Sequence, residues 1–261
     1  MDLGLDGRVC VVTGASRGIG RATAARLARE GARVLMVARD AERLEEAAAS
    51  VEGAEWIAGD VTDAACDERI VATAVEQLGG IDVLVNNAGT SAHVPLEELS
   101  DDDWRAQHEL NVMAPMRLMR LAVPRMAEAG WGRVVNVSSS SGKRPGQSNV
   151  AYSVAKAGML SLSRAFADRY AARGVLVNAV TPGPVATELW TGDGGLGDQA
   201  ARAAGTSREE ALEAAAGKLP LGRMGTAEEI ADVVAFLCSE RAGNVVGSAW
   251  SADGGAVQVI I

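Results

Sequence analysis

The chain has 261 residues, enough for one large α/β domain with a substantial buried core. Apolar residues make up 48% of it and aromatic residues only 3%, so Ala, Val, Leu and Gly must fill that core. A net charge of −9 argues against a nucleic-acid binder and against a polybasic membrane-surface protein, since both need clustered Lys and Arg.

Short β-branched runs alternate with longer Ala-rich segments of helical period. Strands are predicted at 9–12, 33–37, 55–57, 83–85, 134–137, 175–177 and 248–250. Helices are predicted over 19–29, 41–51, 67–77, 102–127, a stretch through Tyr152 to about 173, and 227–238. Near-continuously apolar strands separated by helices indicate a parallel sheet covered on both faces. No linker or repeat divides the chain, so residues 1–261 read as one domain. Residues 188–219 form a Gly-, Ala- and charge-rich insert, expected to act as a substrate-binding lid. Cys10, Cys66 and Cys238 lack metal-ligand spacing and read as buried thiols of a reducing compartment, while His93 and His108 are too isolated for a metal site. With no signal-peptide pattern and no apolar run of membrane-spanning length, the expectation is a cytoplasmic protein.

The first strand leads into a glycine-rich turn, residues 13–20, with Gly14, Gly18 and Gly20 in G-x-x-x-G-x-G spacing around Ser16, Arg17 and Ile19. Glycines between a strand and a helix permit a tight turn and bring a pyrophosphate close to the helix N-terminus, where amides and the dipole favour an anion. The end of the next strand selects the dinucleotide: an acid there binds ribose hydroxyls, whereas an arginine accommodates a 2′-phosphate. Ala38 stands where the acid would be expected and Arg39 follows it, with Arg17 placed to converge on the same phosphate. NADP(H) is therefore favoured over NAD(H). Asp40 is the counter-indication, although Asp commonly starts a helix.

Tyr152 and Lys156 are four residues apart, on one face if the segment is helical. A free tyrosine has a pKa of about 10 and is a poor base at neutral pH. A neighbouring ammonium lowers that value and makes the phenol usable as an acid/base.

Assembled in this order, these residues resemble the short-chain dehydrogenase/reductase family over nearly the whole chain, from Gly7 to Gly255. The resemblance implies a doubly wound, Rossmann-like parallel sheet of about seven strands with helices on both faces. It maps the family's TGxxxGxG onto residues 13–20 and the adenine-contacting pair onto Asp60 and Val61. The NNAG segment falls on Asn86, Asn87, Ala88 and Gly89, and the catalytic asparagine on Asn111. The active-site serine, 13 residues before the tyrosine, becomes Ser139, with Ser138 the runner-up. Pro182, Gly183, Val185 and Thr187 match the segment after the sixth strand: Val185 is placed to bond the nicotinamide amide and Thr187 lies near the pyrophosphate. Asp253, Gly254 and Gly255 match the closing motif.

The family mechanism then gives Tyr152 the acid/base role and Ser139 a hydrogen bond to the carbonyl oxygen. Lys156 would lower the tyrosine pKa and hold the nicotinamide ribose, and Asn111 would anchor a water linking Lys156 to solvent. The expected reaction interconverts a ketone and a secondary alcohol, with 3-oxoacyl thioesters among the candidate substrates. Carrier-protein docking would want a basic patch after the long helix, but residues 128–131 are not basic and only Arg173 lies nearby. Lys143 and Arg144 read as solvated loop charges, and Trp190 as either a pocket wall or a core or interface residue. The alternatives are an NAD-dependent dehydrogenase of a sugar, polyol or other secondary alcohol, and a non-catalytic dinucleotide sensor; the presence of all four active-site groups weighs against the last. A homotetramer is expected, with the apolar end 257–261 as one possible subunit contact.

Overall fold

Seven runs of small and β-branched residues pair as parallel strands in the computed structural model, which describes residues 1–258. They are β1 (Val9–Thr13), β2 (Arg33–Ala38), β3 (Glu55–Ala58), β4 (Val83–Asn86), β5 (Gly132–Val137), β6 (Val175–Pro182) and β7 (Ala249–Ala252), in spatial order 3-2-1-4-5-6-7. The connecting helices are α1 (Gly18–Arg29), α2 (Ala41–Ala49), α3 (Ala64–Leu78), α4 (Asp101–His108), α5 (Ala114–Glu128) and α6 (Val150–Tyr170). Three shorter ones follow β6, namely α7 (Glu188–Thr191), α8 (Leu196–Ala204) and α9 (Arg208–Gly217), before α10 (Ala227–Cys238). No described helix is long and apolar enough to cross a membrane.

The period of two along each strand sorts side chains between two cores. From β1, Cys10 and Val12 pack with Leu27 of α1, Leu44 of α2 and Val234 of α10. Val9 and Val11 face the other way, against Ile70 of α3, Met119 of α5 and Ala167 of α6. Strands buried on both faces explain their uniformly apolar sequences and give the doubly wound, Rossmann-like arrangement. The strand order reverses between β1 and β4, so their carboxyl ends open a crevice at which ligands of such sheets bind.

One segment departs from the sequence expectation. The helix expected over 102–127 is not one α-helix: α4 and α5 are joined by a π-helical stretch, Glu109–Met113. Pro115 supplies the reason, since it has no N–H to donate to the carbonyl of Asn111 four residues earlier. The Asn111 amide also bonds back to the Gln107 carbonyl (3.0 Å), competing with the regular ladder. The insert 188–219 is built of α7, α8 and α9. Its cohesion comes partly from Arg208, which pairs with Asp193 and Asp198 (2.9 and 2.5 Å).

The π-helical stretch is braced from below by Arg117. This guanidinium pairs with Asp67 of α3 (2.7 Å) and with Glu109 (2.6 Å), and it donates to the carbonyls of Val61 and Thr62 (3.1 and 3.3 Å). Asp67 is fully buried, and burial lifts its carboxyl to about 6 against the opposing pull of Arg117. Removing the arginine would strand a buried carboxylate. Arg117→Met is expected to cost about 3–5 kcal/mol in urea unfolding. Asp67→Leu added to it should recover most of that loss; a double variant no more stable than the single would contradict the brace.

Candidate active site

The turn after β1 exists because its backbone is pressed against the end of β4. Gly14, at φ +65°, leaves only 2.8 Å between the place of a Cβ and the Ala88 Cα. A Cβ on Gly20 would stand 2.2 Å from the Gly14 carbonyl oxygen, so neither position tolerates a side chain. The Thr13 hydroxyl accepts from the amides of Asn87 and Ala88 (3.0 and 3.1 Å), and the Asn87 amide donates to the Thr13 and Gly14 carbonyls (2.9 and 3.2 Å). Asn86 stays inside the sheet, donating to Asn136 at 2.7 Å. Gly18, at φ +52°, faces Thr187, whose methyl lies 3.3 Å from the place of its Cβ.

Over this turn lies a cleft of about 460 Å³. Among the residues expected from sequence, Gly14, Ser16, Arg17, Gly18, Ile19, Arg39, Asp60, Val61, Asn87, Ala88 and Gly89 line one arm of it. Pro182, Gly183, Val185 and Thr187 join them with Ser139, Tyr152 and Lys156. Gly20 sits beneath the turn as packing and Asn111 lies behind the wall; neither lines the cleft. The approach of Gly183 is also tight, 2.7 Å from its would-be Cβ to the Asp253 carbonyl, which ties the closing Asp-Gly-Gly segment to this loop.

The arm where β2 ends is rich in paired charge. Arg39 lies 3.7 Å from Asp60, whose carboxylate also accepts from the Thr62 amide and hydroxyl. Burial pushes that carboxyl up, but the Thr62 bonds and Arg39 outweigh it and hold it below its ordinary value. Asp40 caps α2, accepting from the Arg43 amide at 3.1 Å, which is the helix-starting role its position suggested. Arg17 does not lie free beside Arg39: it pairs with Glu188, as Arg43 does. Arg43 and Glu188 both line the cleft and both escaped the sequence reading. Arg43 lies in the first turn of α2, whereas Arg39 precedes the Asp40 cap, so helical spacing does not connect them; the placement of Glu188 depends on how the insert folds back.

At the other end, α6 carries Tyr152 and Lys156 on one face as the spacing required. The Lys156 ammonium is buried, donates to the Val137 carbonyl at the end of β5 (2.8 Å), and sits 5.6 Å from the Tyr152 ring centre. Desolvation pulls it down to about 7. The phenol of Tyr152 shifts the other way, raised by burial and only partly offset by a hydrogen bond with Ser139. The expectation that Lys156 lowers the tyrosine is therefore corrected for the free protein, where burial dominates both groups.

Between the two serines the structure discriminates. Ser138 spends its hydroxyl on the Lys156 carbonyl (2.9 Å), whereas Ser139 reaches Tyr152 and accepts from the Ser141 amide (3.1 Å). Asn111 is fully buried, with its carbonyl oxygen Oδ1 unpartnered. That oxygen and the Lys156 ammonium lie 3.4 and 3.5 Å from where a Gly89 Cβ would be, so Gly89 keeps the gap between them open. Ser91, Asn149, Leu189, Trp190 and Leu196 complete the cleft wall; only Trp190 was anticipated, and it also meets His93 edge-on at 6.4 Å. Lys143, by contrast, is tied to β7 through the Ala249 carbonyl (2.7 Å).

A dinucleotide fits this cradle: glycines that admit no Cβ, arginines at one arm, and a buried lysine with an orphaned amide oxygen at the other.

Comparison with known proteins agrees. A family model described as short chain dehydrogenase matches residues 8–195. The 3-oxoacyl-(acyl-carrier-protein) reductase FabG of Thermotoga maritima is 35% identical, covering 97% of this chain and 99% of that one. The D-threitol dehydrogenase of Mycolicibacterium smegmatis is also 35% identical, over 97% of this chain and 94% of its own. Among solved structures, L-sorbose reductase from Gluconobacter frateurii, complexed with NADPH and L-sorbose, superposes with a TM-score of 0.93 at 35% identity, each chain covered completely.

The buried lysine carries a stability cost with a definite sign. Its folded value lies below its ordinary one, so the penalty is full below about pH 7 and fades as pH rises towards the unfolded value near 10.4. Lys156→Met is expected to raise the melting temperature at pH 7, by roughly 2–4 °C for each kcal/mol recovered. The gain should vanish near pH 10; a gain independent of pH would contradict the assignment.

Proposed function

The chain belongs to the short-chain dehydrogenase family, oxidoreductases of carbonyl and CH–OH groups, and from that premise we propose that it is an NADP(H)-dependent reductase of small-molecule ketones. The observation that carries this reading is a single cleft with a phosphate-type glycine turn and arginines at one end and Ser139, Tyr152 and Lys156 at the other. Residues Gly14, Ser16, Gly18, Ile19 and Thr187 would hold the pyrophosphate. Asp60 and Val61 would meet the adenine, Asn87, Ala88 and Gly89 the adenosine side of the floor, and Pro182, Gly183 and Val185 the nicotinamide. Arg17 and Arg39 would take the 2′-phosphate. When bound, the nicotinamide supplies or accepts the hydride.

The protein's own part is positioning and proton transfer. The Tyr152 phenol, protonated at neutral pH like any tyrosine, donates its proton to the substrate's carbonyl oxygen, and the Ser139 hydroxyl donates a second hydrogen bond to that oxygen. The Lys156 ammonium stands beside the phenolate so produced and favours it. Asn111 Oδ1, buried without a partner beside Gly89, can hold a water through which Lys156 regains a proton. In the oxidative direction the same groups run in reverse.

The cleft wall of Ser91, Asn149 and Trp190 suits a compact polar ketone, in line with the reductase that holds L-sorbose. The 3-oxoacyl thioester reading rests on relatives such as the Thermotoga maritima reductase. Against carrier delivery, Arg8 and Arg133 stack on Trp131 and Arg173 on Tyr170, which leaves Arg125 as the exposed cation in the last turn of α5. Residues 188–219 are assigned as the substrate lid because α7 and α8 contribute Glu188, Leu189, Trp190 and Leu196 to the cleft. Three unpaired buried thiols support a reducing, cytoplasmic setting. The edge strand β7, with Trp250 partly exposed against Phe236 at 5.5 Å, supports a homo-oligomer, the tetramer of the sequence expectation. The other contact anticipated for it, the end 257–261, lies beyond the described residues from 259 onward.

NADPH consumption across ketoses, simple ketones and 3-oxoacyl thioesters, with alcohol oxidation in parallel, tests the reading; no turnover in any arm would sink it. Tyr152→Phe should lower turnover by at least about 100-fold while NADPH affinity stays within a few-fold. Near-normal turnover in that variant would remove Tyr152 from the proton-transfer role.

A further inference from the structure

Glu188 opens the insert at the first turn of α7, directly over the glycine turn. One of its carboxylate oxygens, Oε2, accepts from two guanidinium groups at once: Arg17 at 3.0 Å and Arg43 at 3.2 Å. These arginines come from separate elements, the N-cap of α1 and the first turn of α2, and converge only through this oxygen. All three residues line the cleft beside Ala38, Arg39 and Asp40, at the arm where β2 ends. An anionic oxygen bridging two arginines there stands where a phosphate oxygen would be held.

We propose that Glu188 is a specificity-determining residue whose carboxylate competes with the cofactor's 2′-phosphate for Arg17 and Arg43. The inference deepens, and rests on, the NADP(H) reading given above. Each member of the cluster is about half exposed, so the pairs that Glu188 makes are weak and replaceable. A phosphate near −2 charge, with three acceptor oxygens, offers both guanidiniums more than a carboxylate does. Glu188 thus sets how far this chain favours the phosphorylated cofactor: it discounts that preference without abolishing it. Because Glu188 belongs to the insert, the same exchange releases the start of the lid when a 2′-phosphate arrives. The 5′-diphosphate has its own partners, the amides at the start of α1, and should not feel the competition.

Calorimetric titration of 2′,5′-ADP and 5′-AMP, and of NADPH and NADH, into the wild type and Glu188→Gln separates these statements without any turnover. The variant is expected to bind 2′,5′-ADP and NADPH roughly 3- to 10-fold more tightly, the scale of removing one exposed carboxylate competitor. Its affinity for 5′-AMP and NADH should stay within about twofold, and Glu188→Asp should behave closer to wild type. Weaker binding of NADPH by Glu188→Gln would overturn the proposal, because the carboxylate would then be organising the arginines rather than competing. Equal tightening of both ligand pairs would also overturn it, placing the competition at the pyrophosphate. A wild type that does not distinguish 2′,5′-ADP from 5′-AMP would instead bring down the NADP(H) reading on which the inference stands.

Discussion

The ammonium of Lys156 is buried, with the Val137 carbonyl as its hydrogen-bond partner and Tyr152 beside it. A charge in such a place is expensive, and the protein meets the cost by letting the group titrate near 7 instead of above 10. That one desolvation shapes the rest of the site. It requires a helix, α6, stiff enough to keep the lysine against the end of β5. It requires Gly89 to leave a passage between Lys156 and the orphaned oxygen of Asn111. It also makes the protonation of the lysine sensitive to whatever charge arrives beside it, which is the property an acid/base pair needs.

The sheet provides the frame in which such a residue can be held. Four adjacent strands, β1, β4, β5 and β6, end at one level, and each delivers part of the cleft: the glycine turn, the Asn87–Gly89 floor, the serines, and the Pro182–Thr187 loop. Hydrogen bonds from Thr13 and Asn87 lock the first two together, and the close contact of Gly183 with Asp253 locks the last to the chain's end. Opposite them, Arg117 ties the Val61–Thr62 loop, α3 and the π-helical stretch into one body, so both arms of the cleft share a common support.

Much of this was legible in the sequence because it depends on local rules. Apolar β-branched runs placed all seven strands, helical patterning placed α1, α2, α3, α6 and α10 and spanned α4 and α5 as one, and glycine spacing located the turn where no Cβ fits. Tyr152 and Lys156 share a face simply because they are four apart on a helix. What escaped depends on distant contacts. The π-helical stretch had a signal in Pro115, but its meaning needed the partner carbonyl of Asn111 to be identified. The direction of the tyrosine shift could not be read from neighbours alone, since burial outweighs the hydrogen bond with Ser139. The choice of Ser139 over Ser138 became a geometric matter only when the Lys156 carbonyl was seen to engage Ser138. Arg43 and Glu188 meet across more than a hundred residues of sequence, and nothing local announces them.

The account as a whole turns on Lys156 being desolvated enough to sit near neutrality in the free protein. The chain has only three lysines, Lys143, Lys156 and Lys218, so a carbon-13 shift titration of uniformly lysine-labelled protein resolves each Cε, with Lys156→Met giving the assignment. The Lys156 signal is expected to titrate near pH 7, within about a unit. A Lys156 midpoint near 10.4, the value of an unperturbed lysine, would contradict this.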